Sequence, residues 1–288
     1  MTQIIENLAD IGAHYDAVLC DLWGCLHNGH TPFPAAVAAL SAYKAGGGTV
    51  VLLTNAPRPA EQVRHQLEQM GVGPSVYHKI VTSGDAAQAA LARGVVGQQV
   101  YHLGPSKDDT FFENLPPLGG PIERVAFEDA QGIVCTGLVD DLTESPETYR
   151  KLLHAAQTRG LKLLCANPDI VVDFGDKRIW CAGALAALYT EMGGESLYFG
   201  KPHAPIYDLA RDYLAPQGIP DHRVLCIGDG EKTDVAGGLA EGFDVLFVTG
   251  GLAAQAFGPD ENAPDPALLA DWLTKRGLSP TAAIGKLR

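Results

Sequence analysis

Short apolar runs alternate along the chain with longer amphipathic stretches. The run Ala17–Cys20 is followed by a helix pattern over about Pro34–Ala45, and the run 49–53 is followed by a second helix pattern over about 59–70. Short apolar runs are typical of strands that are buried on both faces, whereas apolar residues spaced three or four apart are typical of surface helices. This order predicts parallel strands joined by crossover helices.

The same alternation returns near the end of the chain. The runs 223–227 and Asp244–Val248 flank a helix pattern that begins near Thr233. We therefore predict an α/β fold with a doubly wound, mostly parallel sheet that has helices on both faces. In such folds ligands bind beyond the carboxyl ends of the strands, so the residues that follow each apolar run are the candidates for chemistry.

The middle of the chain carries a pattern of its own. A loop rich in Pro and Gly at 115–121 precedes a strand pattern at 132–136, a helix pattern at 146–159 with Ser145 as its predicted N-cap, and a strand pattern at 161–165. Because polar strand ends occur both before and after this region, we interpret it as an inserted α/β domain. The predicted division is a core domain formed by 1–84 and 196–288, and an inserted domain over 85–195.

Length and charge narrow the range of partners. The chain has 288 residues, enough for two domains, and carries 21 Lys and Arg against 34 Asp and Glu, a net charge of −13. This charge repels nucleic acids and anionic membrane surfaces, so we expect neither as a partner. The six cysteines form no Cys-x-x-Cys pair, which indicates reduced thiols. Residues 1–16 are too polar for a secretory signal and no run could span a bilayer, so we expect a cytoplasmic protein.

Polar side chains that could together bind a metal ion and a phosphate follow four of the apolar runs. In chain order they are Asp21, Thr54 with Asn55, Lys201, and Asp229 with Asp234. Carboxylates are hard oxygen ligands for Mg²⁺, while a hydroxyl group and an ammonium group can hold phosphoryl oxygens. A carboxylate can also act as a nucleophile that splits one difficult displacement into two easier ones. The set therefore favours phosphoryl chemistry.

These segments resemble, in the same order, the motifs of the haloacid dehalogenase (HAD) superfamily. The sequence Leu-Cys-Ala-Asn-Pro-Asp at 164–169 resembles the Asn-Pro-Asp signature of the class IIA cap domain, and Gly-Lys-Pro at 200–202 resembles the motif that follows it. That branch holds nucleotide, sugar-phosphate, nitrophenyl-phosphate and pyridoxal-phosphate phosphatases. The resemblance implies a HAD-type Rossmann-like core, an inserted class IIA cap, a Mg²⁺ cofactor and a small phosphorylated substrate. Members of the branch often dimerise through the cap, so a homodimer is one arrangement that the resemblance implies.

The resemblance also implies a role for each residue that follows a strand. Asp21 would attack phosphorus to give an aspartyl-phosphate, while Thr54, Asn55 and Lys201 would hold the transferred group. The implied Mg²⁺ ligands are Asp21, the backbone carbonyl of Trp23, Asp229 and, directly or through water, Asp234.

Trp23 departs from the family pattern. Most phosphatases of the superfamily have a second Asp at this position, which protonates the leaving alcohol and later activates water. An indole can do neither, because its only polar group is an N–H donor of negligible acidity. Three explanations stay open: a leaving group that departs without a proton, as in an acyl or aryl phosphate; a surrogate acid/base, for which His27 is the candidate; or displacement of halide from carbon.

We rank phosphatase chemistry above the alternatives. The acidic pair Asp229 and Asp234 implies a cation, which halide displacement does not require. A protein that binds a phosphorylated ligand with little turnover would keep the metal and phosphate contacts while losing the acid/base. A dinucleotide-binding oxidoreductase is disfavoured, since no Gly-x-Gly-x-x-Gly follows the first strand. The expected substrate is a sugar phosphate, a nucleotide, or an aryl or acyl phosphate.

Three further polar residues are given structural or surface roles. Asn167 and Asp169 of the Asn-Pro-Asp signature are predicted to form a turn that orients the cap, with contact to the substrate as the less favoured alternative. Arg58 follows Asn55 by three positions, where it could meet an anion, but a solvated surface charge is the favoured prediction.

Overall fold

Two parallel sheets organise the computed structural model, which describes residues 2–175 and 177–288. The strands, in chain order, are β1 Gln3–Ile4, β2 Ala17–Cys20, β3 Thr49–Thr54, β4 Lys79–Thr82, β5 Gln99–Leu103, β6 Glu123–Arg124, β7 Gly132–Cys135, β8 Lys162–Cys165, β9 Val171–Phe174, β10 Lys177–Trp180, β11 Glu195–Tyr198, β12 Val224–Gly228, β13 Asp244–Val248 and β14 Ala282–Ile284. The α-helices are α1 Ala9–Gly12, α2 Pro34–Ala45, α3 Ala60–Gln69, α4 Ser83–Ala92, α5 Arg150–Thr158, α6 Ala182–Glu191, α7 Ala204–Leu214, α8 Ala236–Ala240 and α9 Pro266–Arg276.

The first sheet has the strand order β1-β14-β13-β12-β2-β3-β4, and every neighbouring pair is parallel. All residues of β2 and β3 are buried. Side chains alternate along β2, so that Val18 packs into the hydrophobic cluster on one face and Leu19 into the cluster on the other. The predicted doubly wound, mostly parallel sheet is confirmed, and its strands are apolar throughout because both faces are covered.

The second sheet has the order β11-β8-β7-β5-β6 and is also parallel. All of its strands lie between β4 and β12 of the first sheet in chain order. β11 pairs with β8, so the predicted boundary at residue 195 falls on the first residue of a strand of this sheet. The apolar run before Lys201 therefore belongs to the second sheet, and Lys201 does not follow a strand of the first sheet as its neighbours in the predicted site do.

A hairpin formed by β9 and β10 leaves the second sheet and lies against the loop that follows β2. The amide N–H of Gly175 in its turn donates to the carbonyl of Asn28 at 3.1 Å. The ring of Phe174 lies 4.1 Å from that of His30, measured between ring centroids. These contacts place the hairpin beside the residues that follow β2.

The predicted helix at 146–159 is divided in the structure. A 3₁₀ turn at Pro146–Tyr149 precedes α5, and Ser145 occupies the N-cap position without forming a side-chain capping hydrogen bond. The tighter turn is common at helix N-termini, where the first N–H groups lack intrahelical partners. None of the helices in the described residues is both long and apolar enough to cross a bilayer.

Candidate active site

Three of the predicted site residues lie at the carboxyl ends of adjacent strands in the first sheet. Asp21 follows β2, Thr54 is the last residue of β3, and Asp229 follows β12. Because β12, β2 and β3 are parallel neighbours, their carboxyl ends meet at one edge of the sheet. The three side chains are buried at this edge.

Lys201 joins this group from the connection that returns from the second sheet. Its ammonium group, which is 2% exposed, donates to Oδ1 of Asp21 at 2.7 Å, to Oδ1 of Asp234 at 2.6 Å and to the carbonyl of Leu53 at 3.0 Å. These three bonds use all three ammonium protons. Burial by itself would lower the pKa of Lys201, but the surrounding carboxylates raise it well above its usual value. The group is therefore a fixed positive charge beside Asp21.

Asp21 carries more negative charge around it than Lys201 can balance. Burial, and then the nearby carboxylate of Asp234, raise the pKa of Asp21 to about 7, although the charge and hydrogen bond of Lys201 oppose this. A further positive charge at the site would favour the ionised form that a nucleophile needs.

The side chains of Asp21 and Asp229 can supply oxygen ligands to such a cation. Their carboxylate oxygens and the sulfur of Cys25 all lie within 4.8 Å of one another. Oδ2 of Asp229 accepts the N–H of Leu252 at 2.8 Å, and burial raises the pKa of Asp229 well above its usual value. Burial likewise raises the pKa of the Cys25 thiol, which keeps it protonated and a poor metal ligand. Hard oxygen donors with an excess of negative charge fit Mg²⁺.

Both carboxylate oxygens of Asp234 accept hydrogen bonds from other groups of the protein. While Oδ1 accepts from Lys201, Oδ2 accepts the N–H of Gly230 at 3.0 Å and lies 3.4 Å from the hydroxyl of Thr233. Asp234 does not belong to the cluster of metal-ligating side chains found in the described residues. Its contacts fit a residue that positions Lys201, and its predicted part in metal binding stays a prediction.

Asn55 connects three segments of the site. Its Oδ1 accepts the backbone N–H of Lys201 at 2.7 Å, and its Nδ2 donates to the carbonyl of Lys201 at 3.0 Å and to Oδ1 of Asp169 at 2.8 Å. A Cβ atom at Gly200 would collide with this amide, so glycine is required there. The side chain of Asn55 is thus committed to structure. Among the described residues the Thr54 hydroxyl accepts the N–H of Ala56 at 3.2 Å and donates to no partner, which leaves its proton for a ligand.

Asp169 is the site residue whose position sequence reasoning missed. Besides its bond to Asn55, it lines a cavity of about 250 Å³ together with Asp21, Trp23 and Asp229. Burial raises the pKa of Asp169 to about 6, against the opposing effect of Lys201. The Asn-Pro-Asp signature is the available signal, but the sequence favours a turn there over a contact with the substrate. The turn is present, because Oδ1 of Asn167 accepts the N–H of Asp169 at 3.0 Å, and it delivers a carboxylate into the cavity.

The indole of Trp23 forms part of the wall of this cavity. Its ring packs edge-on against His27 at 5.2 Å and against Phe174 of β9 at 6.1 Å, both between ring centroids. A Cβ atom at Gly29, which has a φ of 90°, would lie 2.5 Å from Cζ3 of Trp23. Glycine therefore allows the loop to close over the indole, and Trp23 is held between the first sheet and the hairpin.

His27 is placed behind Trp23 and not in the cavity. It is 1% exposed, its Nδ1 accepts the N–H of Gly29 at 3.0 Å, and it does not line the cavity formed by the described residues. Burial, followed by the charge of Arg58, lowers the pKa of His27 to about 4. A neutral, enclosed imidazole cannot deliver a proton at neutral pH, so this geometry does not support the surrogate acid/base.

Comparisons with known proteins agree with this architecture. A family model described as haloacid dehalogenase-like hydrolase matches residues 18–115, and one described as HAD-hydrolase-like matches residues 198–275. The crystal structure of a hydrolase of the haloacid dehalogenase-like family from Brucella suis 1330 is 40% identical, covers 99% of this chain and 100% of its own, and superposes with a TM-score of 0.86.

Two relatives with more specific names match over most of their length. The 5'-nucleotidase YutF of Bacillus subtilis is 25% identical over 267 residues, which are 90% of this chain and 98% of that protein. The acid sugar phosphatase of Staphylococcus aureus is 26% identical over 254 residues, which are 87% of this chain and 92% of that protein.

Proposed function

The chain belongs to the haloacid dehalogenase-like hydrolase family, and we propose that it is a Mg²⁺-dependent phosphatase that acts on a small phosphorylated metabolite through an aspartyl-phosphate on Asp21. The observation that carries the proposal is the environment of Asp21, a buried carboxylate with Lys201 on one side and the Asp229 carboxylate close by. The names of the two relatives, a 5'-nucleotidase and an acid sugar phosphatase, favour phosphoric monoesters as substrates.

In the proposed reaction a carboxylate oxygen of Asp21 attacks phosphorus while the bond from phosphorus to the ester oxygen breaks. The leaving alcohol departs with the electron pair of that bond. Water then attacks the phosphorus of the aspartyl-phosphate, which regenerates Asp21 and releases inorganic phosphate and a proton. Lys201 contributes a positive charge within hydrogen-bonding distance of the nucleophile, and the hydroxyl of Thr54 is free to donate to a phosphoryl oxygen.

The cavity needs a cation if it is to accept a phosphate dianion. Asp21, Asp169, Asp229 and Asp234 all line it, and Lys201 is their shared counter-charge. Mg²⁺ held by Asp21 and Asp229 would offset this repulsion and polarise the phosphoryl group. The backbone carbonyl of Trp23 and the side chain of Asp234 are the further ligands that the family resemblance implies.

Because Trp23 cannot act as a general acid, the rate of the proposed reaction depends on the leaving group. Without a general acid at this position the alcohol must leave as its anion or take a proton from water, and the loss of such an acid typically costs about 10²- to 10⁴-fold in rate. Esters of acidic alcohols and acyl phosphates escape this cost in the first step, whereas the attack of water on the aspartyl-phosphate lacks a base at this position for every substrate. The same observation favours a second candidate function, a protein that binds a phosphorylated ligand but turns it over slowly.

Phosphate release from a panel of acyl, aryl, sugar and nucleoside monophosphates separates these functions. We expect release in Mg²⁺ that is abolished by EDTA and by Asp21→Asn, and preserved in Asp271→Asn, an exposed aspartate on α9. Equal release by the wild type and Asp21→Asn would overturn the aspartyl-phosphate mechanism. Binding of inorganic phosphate without any turnover would favour the binding protein instead.

A further inference from the structure

A second cavity adjoins the one that contains Asp21. Its volume is about 390 Å³, and Trp23 and Val172 line both cavities. It lies between the loop after β3, represented by Arg58, and the inserted region, represented by Phe174 and Trp180 of the β9–β10 hairpin. A group attached to a phosphate in the first cavity would pass Trp23 and enter the second.

The wall of the second cavity is largely apolar and rich in aromatic rings. The side chains that give it this character are Trp23, Leu138, Val172, Phe174, Ile179 and Trp180. Trp180 is 40% exposed, and Leu142, which also lines the cavity, is 58% exposed. Large apolar side chains left exposed around a concave site mark a place where a ligand is bound. A flat ring can pack against such aromatic side chains.

One cation in this wall forms no salt bridge within the part of the chain that the structure describes. Lys107 pairs with Asp141 at 2.6 Å, whereas the guanidinium of Arg58 bonds to the amide oxygen of Gln66 at 2.8 Å and has no carboxylate within 4.0 Å among the described residues. Asp108, which is 2% exposed, lies in the same wall; burial raises the pKa of its carboxyl, while the charges of Arg58 and Lys107 oppose this rise. Arg58 is therefore the cation of this wall that is placed to meet an anionic group, which is the alternative that the sequence left open beside a solvated surface charge.

The chemistry at Trp23 selects the same kind of ligand. A phenolic oxygen has a pKa of about 10, whereas an aliphatic alcohol is close to water at about 16. A phenolate can thus leave phosphorus without a proton from the protein, and an alkoxide cannot do so at a comparable rate. When the bond between phosphorus and oxygen breaks, the phenolate takes the electron pair and is protonated by water after it departs.

We propose that the second cavity binds the organic part of the substrate, and that the substrate is the phosphate monoester of an aromatic alcohol whose ring carries an anionic group directed to Arg58. This inference rests on the proposed phosphatase function. In this proposal Trp23, Phe174 and Trp180 contact the aromatic ring of the substrate, and Arg58 binds its anionic group.

The first test compares kcat/KM for phenyl phosphate, 3- and 4-carboxyphenyl phosphate, glycerol 3-phosphate and acetyl phosphate. Acetyl phosphate needs neither a general acid nor a large pocket, so it reports on Asp21 chemistry alone. We expect phenyl phosphate to exceed glycerol 3-phosphate by roughly a hundredfold or more. At least one carboxyphenyl phosphate should exceed phenyl phosphate by roughly tenfold, since a bond between charged groups strengthens binding.

Arg58→Gln tests the anionic group. This variant should lower kcat/KM for the preferred carboxyphenyl phosphate by roughly tenfold and leave phenyl phosphate within about twofold. Arg64→Gln is the matched control, because Arg64 lies on α3 outside the cavity and pairs with Glu68 at the surface. A similar loss for both substrates in Arg58→Gln would contradict a specific contact with the anionic group.

Trp180→Ala tests the contact with the aromatic ring of the substrate. It should lower kcat/KM for aryl phosphates by roughly fivefold or more, mainly through KM, and leave acetyl phosphate unchanged, while Trp180→Phe should restore most of the loss. Leu268→Ala, at an apolar side chain that is 47% exposed on α9, is the control for simple loss of exposed apolar surface.

The outcomes separate this inference from the proposed function. If acetyl phosphate is hydrolysed and glycerol 3-phosphate is hydrolysed as fast as phenyl phosphate, the proposal of an aromatic substrate is overturned. The proposed phosphatase function is then unaffected. Failure to hydrolyse acetyl phosphate and every one of the monoesters would overturn both.

Discussion

Nζ of Lys201 lies 2.7 Å from Oδ1 of Asp21, although the two residues are 180 positions apart and follow strands of different sheets. Asp21 directly follows β2, an interior strand of the first sheet. Lys201 lies on the connection that leads from the second sheet back to the first. The same ammonium holds Asp234 at 2.6 Å, so a single cation organises two buried carboxylates. Its position depends on the amide of Asn55, which bonds to both the backbone N–H and the carbonyl of Lys201.

Replacement of Lys201 by Met should therefore affect both stability and activity. Two buried carboxylates would lose their counter-charge, which typically costs about 3–5 kcal/mol in the free energy of unfolding. Urea denaturation at pH 7.5 measures this loss, and phosphate release is expected to fall below detection. Lys275→Met is the matched control, because Lys275 forms an exposed pair with Asp271 and its loss should cost at most about 1 kcal/mol. A similar small cost for both variants would contradict the role of Lys201 as an organising cation.

Mg²⁺ should stabilise the folded protein through Asp21 and Asp229. A ligand that binds only the native state at a hundredfold excess over Kd adds about 2.7 kcal/mol, which corresponds to a rise in Tm of roughly 5 °C for a chain of this size. Thermal unfolding with and without Mg²⁺ measures the shift without reference to activity. The shift should be absent in Asp229→Asn. It should persist in Asp173→Asn, because Asp173 lines the same cavity but pairs with Arg178 at 2.7 Å. Loss of the shift in both variants would indicate nonspecific screening.

The fold and half of the candidate site could be predicted because they depend on local patterns. An apolar run that ends in a polar residue predicts a strand with that residue at its carboxyl end. Since neighbouring parallel strands end at one edge, Asp21, Thr54 and Asp229 had to meet once the runs before them formed one sheet. The pattern does not say which sheet a run joins. The run before Lys201 was therefore placed with the core strands, whereas it pairs with β8 of the second sheet.

The remaining part of the site depends on contacts between distant segments. Asp169 reaches the cavity through a bond to Asn55, 114 positions earlier in the chain, and the hairpin that carries Phe174 packs on the loop after β2. Neither contact leaves a periodic signal in the sequence. His27, in contrast, is close to Asp21 in the sequence, which makes it a candidate acid. In the structure the turn buries it behind Trp23.

The buried state of His27 predicts a specific dependence of stability on pH. Its pKa of about 4 in the folded protein lies below the usual value of 6.5, so the unfolded chain binds the proton more tightly. The contribution of this group to stability is therefore complete above pH 6.5 and is lost as the pH falls toward 4, by roughly 3 kcal/mol in total. His27→Asn, which keeps an acceptor for the N–H of Gly29, should flatten this part of the stability profile.

His65→Asn serves as the control for the substitution itself, because the side chain of His65 is exposed on α3. Phosphate release by His27→Asn should stay within about threefold of the wild type. A loss of a hundredfold or more in a variant that folds normally would restore His27 as the surrogate acid/base.

Trp23→Asp tests whether the missing general acid is what restricts the leaving group. A carboxyl at this position could protonate a departing alkoxide, so kcat for glycerol 3-phosphate should rise by at least about tenfold. The comparison must be made with Trp23→Asn, because both variants lose the packing of the indole against His27 and Phe174 and differ only in the acid. For 4-nitrophenyl phosphate, whose leaving group needs no proton, the rate of 4-nitrophenolate release in the first turnover should agree within about threefold between the two variants. If Trp23→Asp were no faster than Trp23→Asn on glycerol 3-phosphate, then protonation would not be the limiting step, and the selectivity would have to come from the shape of the second cavity alone.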